Sequence, residues 1–458
     1  MNKSIKINLM RDFLAQHRIV ILGFGREGRS SYYFIRKLLP VVNLAIADAN
    51  TAIGQEVDLI GDNHLIFHLG NTYLDEIEHY DLVIKSPGIS LMNYEKISGQ
   101  QITSQTDLFL KYFGNQCVGV TGTKGKSTTA SLIQHILKSL YKQVLLIGNI
   151  GVPALDVASD IDENTMVVFE LSSHQLEYIN HAPHIAVLLN LYQEHLDHYK
   201  DYKSYRWAKW NIAKYQLPKD YLILPAEEAQ VSADIGLHHI RSRILNFSME
   251  QKADIQYDYM KNVFITSNGF ITFDKDRFSL LGQHNINNLM AALLVCNSLK
   301  IPMERALQQA YGFSALAHRL ELVAEVDGAV FYNDSIATIP EATIKALESV
   351  PSVQTLILGG FDRGIDYTLL VDFLLQYSPL TILLLGEVGL RLHKMLKEKS
   401  YSGQLLYYDD FDNAIAKAMQ LTKPAKACLL SPAAASYDKF KNFEERGERF
   451  KTIIRAGE

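Results

Sequence analysis

The run GVTGTKGKSTT, residues 119–129, places glycines, hydroxyls and a lysine at spacings that suit the phosphates of ATP. Gly122 and Gly125 let backbone N–H groups close on an anion with no Cβ in the way. A helix beginning just after them turns its positive end toward the same anion. Lys126 reaches the β- and γ-phosphates from such a loop, and Ser127 or Thr128 meets Mg²⁺; Thr123 belongs to the same turn. The commoner spacing G-x-x-x-x-G-K-[ST] needs glycine at Val120, and here the upstream glycine is Gly119. A glycine turn with a solvated lysine is the plain alternative, disfavoured because strand, loop and helix stand in register.

Further reactive side chains gather downstream. MVVFELSSHQLE (166–177) sets Glu170, Ser172 and Ser173 after an apolar run, and IAVLLNLYQEHLDHY (185–199) does the same with Asn190, Glu194, His195 and Asp197. A carboxylate and an imidazole beside a phosphate loop suit Mg²⁺, which takes a few hard ligands plus waters and phosphate oxygens. His195 equally suits capping or packing, and His198 is read as a packing histidine. In YKSYRWAKWNI, Lys209 shares a helix face with Tyr205 four residues earlier and is by default a solvated lysine. Asn285 and Asn288, on one side of LLGQHNINNLMAALLVC, can read a purine edge or cap the helix.

The elements that must position these groups repeat as strand, glycine turn and helix. Cys117, Val118 and Val120 form the strand before the phosphate loop; Ala130, Leu132, Ile133, Ile136 and Leu137 form the helix after it. Near the N-terminus, Ile19 to Leu22 meets Gly23, Gly25 and Gly28, and Leu44 to Ala47 ends at Asp48, a Rossmann-type spacing for a nucleotide-linked ligand. Alone it is equally a tight turn that touches nothing. DLVIKSPGIS (81–90) ends in a Pro-Gly turn, again where α/β sheets gather ligands. In the last third, NDSIATIPEAT, LILGGFDRGIDY and ACLLSPAAASYDKF each follow an apolar run, which predicts a second Rossmann-like sheet with a site at its carboxyl edge. The charges of ERGERF predict a solvated helix face.

Composition narrows the class. With 458 residues the chain exceeds one core, and 48% hydrophobic against 21% charged content fits a globular protein. A net charge of −5 with mixed signs offers no basic face for nucleic acid. Cys117, Cys296 and Cys428 are too scattered for a disulfide frame or a zinc site. No run is long enough to cross a membrane and no cleavage-site pattern opens the chain, so the reading is a cytoplasmic protein. A monomer is expected, although the sequence itself carries no sign of oligomeric state.

Taken in order, GVTGTKGKST, ELSSHQLE, NLYQEHLDHY, YRWAK, GQHNINN, HRLE, NDSIAT, LGGFDRG and LSPAAASYDKFKNFEERG resemble the Mur ligase family along nearly the whole chain. The resemblance implies an α/β protein of three domains. Residues 1–112 would be a Rossmann-like domain for a UDP sugar, 113–315 a central P-loop ATPase-type domain, and 316–458 a Rossmann-like domain for the incoming amino acid. The implied reaction is ADP-forming ligation of glutamate to UDP-N-acetylmuramoyl-L-alanine through an acyl phosphate, in peptidoglycan precursor synthesis and hence cell-wall growth, cell shape and division.

By the same resemblance, Lys126, Glu170, His195 and Lys209 are catalytic. Ser127, Glu170, His195 and a carbamylated Lys209 hold Mg²⁺. ATP meets Gly122, Thr123, Gly125, Lys126, Ser127, Thr128, Asn285, Asn288, Arg319 and Asp334. The UDP sugar meets Gly25, Arg26, Glu27, Asp48, Ser86, Gly88, Asn149 and His195. Glutamate meets Thr338, Arg363, Ser436, Tyr437 and Phe443.

Two positions depart from the family pattern N-D-S-K-A-T-N: Ile336 stands where lysine is usual and Ile339 where asparagine is, and Arg363 matches the lysine that follows the paired glycines. Losing one cation and keeping another as a planar guanidinium changes where a side-chain carboxylate is held. D-glutamate is the expected substrate and L-glutamate the alternative. A nicotinamide-dependent oxidoreductase would leave the phosphate loop without work, and a regulatory ATP-binding protein would not need Lys126, Glu170, His195 and Lys209 together. The D-N-P-R motif of a diaminopimelate-adding ligase is absent from the sequence. A folate ligase would lack the first domain.

Overall fold

Every residue of β1 (Ile19–Leu22) is buried, as a continuous apolar run requires when both faces of a parallel sheet are covered. It lies between β2 (Leu44–Asp48) and β4 (Leu82–Lys85), with β3 (Leu65–Leu69) and β5 (Gln101–Thr103) outside, all parallel in the order β3-β2-β1-β4-β5. The computed structural model describes residues 3–91, 94, 101–195, 198–227, 229–377 and 380–457.

A second sheet is built around β6 (Cys117–Thr121), whose five residues are all buried. Its other strands are β7 (Gln143–Gly148), β8 (Thr165–Glu170), β9 (Ile185–Leu188), β10 (Tyr221–Pro225), β11 (Arg243–Ser248), β12 (Ile255–Asp258), β13 (Val263–Thr266) and β14 (Gly269–Thr272). They run β14-β13-β12-β11-β10-β9-β6-β8-β7, parallel except for the two antiparallel pairings at the β14 end. β9 and β8 therefore flank β6, and the loops leaving all three open at one edge.

These two sheets share one compact unit, Met1–Lys275 with Ile286–Gly312. Gln105 links them: its Nε2 donates to the Glu27 carbonyl at 3.1 Å and its Oε1 accepts from Ala154 N at 2.9 Å. Ser30 Oγ donates to Asp156 at 2.6 Å across the same seam.

The second unit, Asp276–Asn285 with Phe313–Glu458, holds the third sheet. Its strands are β15 (Glu321–Val326), β16 (Ala329–Asn333), β17 (Val353–Gly359), β18 (Thr381–Leu385), β19 (Gln404–Tyr408) and β20 (Ala427–Leu430), in the order β15-β16-β20-β17-β18-β19. Only β15 is antiparallel. The loops after β16, β17 and β20 meet at its carboxyl edge, as three strand-end motifs predicted. The helix after NDSIAT starts at Pro340, whose fixed φ suits a first turn and whose missing N–H costs nothing there.

The expected solvated face of ERGERF is corrected at one residue. The helix Phe443–Arg455 exposes Glu445, Glu448 and Arg449 of ERGERF, but Arg446 is only 3% exposed. Helical spacing puts Arg446 beside the buried stripe of Gly447, Phe450 and Ile454, so the side chain is carried inward.

Cys117, Cys296 and Cys428 are buried free thiols, and burial pushes the last two up to about 12. Among the described residues no helix is long and apolar enough to cross a membrane.

Candidate active site

Two lysine amino groups converge on one backbone oxygen at the mouth of β6. Lys126 Nζ donates to the Gly122 carbonyl at 3.0 Å and to the Thr123 carbonyl at 2.8 Å; Lys209 Nζ donates to the same Gly122 carbonyl at 2.8 Å. Lys126 is the first residue of the helix Lys126–Lys138, and Gly125 before it has φ 85°, the left-handed region that glycine takes without penalty. A Cβ on Gly125 would come 2.8 Å from Asn288 Oδ1, so the glycine is what lets that buried amide approach the loop. Asn190 ties the loop to the end of β9: its carbonyl accepts from Thr123 N at 3.0 Å and its Oδ1 from Lys124 N at 2.8 Å. Ser127 and Thr128 occupy the first helical turn, whose free N–H groups and dipole favour an anion.

The default reading of Lys209 as solvated fails. It lies in the helix Tyr202–Lys214 on the side facing the sheet, is 2% exposed, and its Nζ sits 4.9 Å over the Tyr205 ring. Burial, and then the charge of Lys126, hold its pKa well below the usual lysine value. Tyr205 OH in turn meets Thr123 Oγ1 at 2.9 Å.

Glu170 ends β8 fully buried. Its Oε1 accepts from Asn149 Nδ2 at 2.8 Å, while Oε2 has no hydrogen-bond partner among the described residues. A buried carboxylate oxygen without a donor is costly unless a cation or donor arrives. That orphaned oxygen, beside a phosphate loop, fits Mg²⁺. Among the described residues no three His, Cys, Asp or Glu side chains form a group that could hold a metal ion.

His195 stands on the β9 loop with φ 58° and a half-exposed ring. Its Nε2 is 3.9 Å from Glu194, which also pairs with Lys124. Asp197 lies outside the described residues. His198 packs as read, its ring 4.2 Å from that of His174. His174 also meets the His195 ring at 5.0 Å; burial, then His198 and His195, lower it to about 4 and keep it neutral. Sequence reading passed over His174, although its place in ELSSHQLE was the signal.

At the N-terminal glycine turn, Gly25 caps the helix Arg26–Leu38, and a Cβ on Gly28 would lie 2.1 Å from the Gly23 carbonyl. Ser86 Oγ donates to that carbonyl at 2.6 Å. Arg26 contacts the Gly151 carbonyl. Glu27 accepts from Gln175 Nε2 at 2.6 Å, its other oxygen has no partner among the described residues, and burial raises it. Asp48 is occupied structurally, accepting from Phe24 N at 2.6 Å and Asn50 N at 2.8 Å. Gly88 is open to solvent. Lys85, before Ser86, is buried and donates to Glu177 at 3.2 Å.

In the second unit, Asp334 is buried, accepts from Ser431 Oγ at 2.8 Å and from Leu320 N at 3.3 Å, and is pushed up to about 7 by burial; Arg319 pulls the other way. Asn285 is buried and its Nδ2 donates to the Leu281 carbonyl at 2.6 Å. Arg363 donates to the Thr338 carbonyl at 3.0 Å. Ser436 is buried and Tyr437 is exposed, edge-on to Phe361. Phe443 opens its helix and accepts at its carbonyl from Ser335 Oγ at 2.8 Å.

Comparison with known proteins matches residues 120–296 to the Mur ligase middle domain. The UDP-N-acetylmuramoylalanine--D-glutamate ligase of Clostridium botulinum strain 657 is 32% identical over 459 residues, covering 97% of this chain and 98% of that one. The enzyme of that name from Clostridium novyi is 31% identical, covering 98% of each. Among solved structures, MurF from Acinetobacter baumannii has a TM-score of 0.61 at 14% identity over 98% of both chains. MurF from Thermotoga maritima, solved with ADP, has 0.59 at 15%, covering 97% of this chain and 98% of that one. The two structures share the fold.

Proposed function

The chain belongs to the Mur ligase family, and on that premise we propose that it is an ATP-dependent, ADP-forming ligase that joins glutamate to UDP-N-acetylmuramoyl-L-alanine in peptidoglycan precursor synthesis. The observation that carries the chemistry is the meeting of Lys126 and Lys209 on the Gly122 carbonyl. The Lys126 cation beside a helix N-terminus favours a polyphosphate and the charge that builds during its transfer.

A carboxylate is a poor electrophile. Phosphoryl transfer from ATP makes the alanyl carboxylate an acyl phosphate and releases ADP; the glutamate amine then attacks the carbonyl and phosphate leaves. Most of the acceleration comes from positioning and charge neutralisation. In this reading Lys126 holds the transferring phosphoryl group, Asn149 and His195 orient the muramoyl end, and Thr338, Arg363, Ser436 and Phe443 receive the amino acid. Asn288, Arg319 and Asp334 complete the ATP contacts. Glu170, Ser127 and His195 are the residues that would hold Mg²⁺, which when bound neutralises phosphate charge. Lys209, buried with a lowered pKa, is suited to react as the free amine with CO₂: an N–C bond forms, a proton leaves, and the product is an anion. Residues 1–112, 113–315 and 316–458 would serve as sugar, ATP and amino-acid domains, and the use of ATP and a UDP-linked substrate points to the cytoplasm.

D-glutamate is the first choice for the amino acid, following the relatives' activity. L-glutamate is the second reading, favoured by Ile336, a half-buried aliphatic on the loop after β16 where a cation was expected. The test is phosphate release from ATP with UDP-N-acetylmuramoyl-L-alanine and Mg²⁺, with and without glutamate. Release that does not depend on both the nucleotide sugar and glutamate would sink the reading.

A further inference from the structure

The guanidinium of Arg446 bonds to two strand-end loops and is linked through a shared carbonyl to a third. Its Nε donates to Ser335 Oγ at 3.0 Å and its Nη2 to the Ser335 carbonyl at 2.8 Å, both on the loop after β16. Nη2 also donates to the Ala434 carbonyl at 3.0 Å, and Nη1 to the Ala435 carbonyl at 3.4 Å, on the loop after β20. The Ala435 carbonyl accepts in addition from Phe361 N at 2.9 Å, which brings in the loop after β17. Ser335 Oγ passes the connection on to the Phe443 carbonyl, in the first turn of Arg446's own helix.

All of these acceptors are neutral. The Asp438 charge favours the charged guanidinium but accepts none of these bonds. Burying a cation among neutral acceptors is expensive, and a fold that needed only packing here is better served by an apolar side chain. What the guanidinium adds is its fork: donors in one plane that set the spacing of several backbone segments. A lysine at this place would present a single nitrogen. Gly360 is part of the same fit, because a Cβ there would stand 2.3 Å from the Ala435 carbonyl and 3.2 Å from Arg446 Nη1.

We propose that Arg446 is the positioning residue of the amino-acid pocket, a buried clamp that fixes the separation of Thr338, Arg363, Ser436 and Phe443. Each of these is close in sequence to an atom the clamp holds. Thr338 is three residues after Ser335, Ser436 follows Ala435, Arg363 is two residues after Phe361, and Phe443 is bonded through Ser335. The proposal rests on the reading of this edge as the glutamate site.

Its test uses the full-length enzyme with Arg446→Lys, Arg446→Gln and Ser335→Ala, measuring kcat and the KM for glutamate, ATP and the nucleotide sugar, with thermal melting alongside. The KM for glutamate should rise roughly ten- to a hundredfold in Arg446→Gln, less in Arg446→Lys, and several-fold in Ser335→Ala, since small misplacements of binding groups cost this much. The KM for the nucleotide sugar should stay within about twofold. Proportional loss in every constant together with a lowered melting temperature, or an unchanged KM for glutamate in Ser335→Ala and any folded Arg446 variant, overturns the clamp. Failure of the wild type to use glutamate overturns the underlying reading instead, and the wild-type arm separates the two.

Discussion

Lys209 Nζ lies 2.8 Å from the Gly122 carbonyl, to which Lys126 also donates. One helix thus delivers a buried amine to the phosphate loop, 87 residues away in sequence, and does so beside Lys126. Burial, and then repulsion from Lys126, favour the neutral amine there, which is the form able to react with an electrophile.

Lys209→Ala should accordingly lower turnover by about a hundredfold or more, the scale on which charge-stabilising groups act. Short carboxylates added to the assay should restore part of the loss by filling the space of the missing anion. A structure with ATP and Mg²⁺ bound in which Lys209 is an unmodified lysine pointing to solvent would refute the modification.

Lys126→Ala should abolish phosphate release without unfolding the protein. The side chain is bonded to two loop carbonyls and packs into no apolar core, so circular dichroism should be unchanged. Near-normal turnover in the variant would remove Lys126 from the mechanism.

On the reading that Arg363 pairs with the glutamate side chain, glutamate should be ligated in preference to aspartate, whose side chain is one methylene shorter. An unpaired charge in the site costs roughly a few kcal/mol, a discrimination of about a hundredfold or more. Both enantiomers run side by side decide the stereochemistry. If alanine, aspartate or diaminopimelate matches the better enantiomer, the glutamate assignment fails; if L-glutamate is clearly preferred, only the D-assignment does.

Asp334 predicts a pH dependence. Its folded-state pKa of about 7 exceeds the ordinary 3.8, so the folded form binds the proton more tightly. The stability this gives is present below about pH 4 and is lost as pH rises toward 7. Asp334→Asn, neutral throughout, should therefore gain on the wild type in melting temperature by several degrees between pH 5 and pH 8. A difference that does not change with pH would show that Asp334 is ionised from the start.

Local patterns made much of this legible. β1, the glycine turn after it, the strand-loop-helix at Lys126 and the Pro340 helix start depend on residues within one turn of each other. Arg446 was misread, and the residue pattern alone left Lys209 as a solvated lysine by default, because charge suggests solvent and only the packing of a whole helix reveals which charged residue is turned inward. In both helices the apolar spacing held the clue: Tyr205 and Ile212 bracket Lys209, and Gly447 and Phe450 flank Arg446. Asp48 was legible as a strand-end carboxylate, but not its two backbone donors, which belong to the three-dimensional turn. The strand order of the nine-stranded sheet, with β6 between β8 and β9, likewise depends on long-range pairing that no local pattern encodes.

The buried cysteines give the chain its own clocks. Cys117 sits in β6, Cys296 in the helix Gln283–Ser298 and Cys428 in β20, all shielded and all protonated at neutral pH. An alkylating reagent reaches such a thiol only when the surrounding structure opens, so labelling times opening events. A protein retaining Cys428 alone would time the breathing of the second unit, and one retaining Cys117 alone that of the first. Slowed alkylation on adding a nucleotide, a sugar nucleotide or an amino acid would then tell which unit each molecule holds shut.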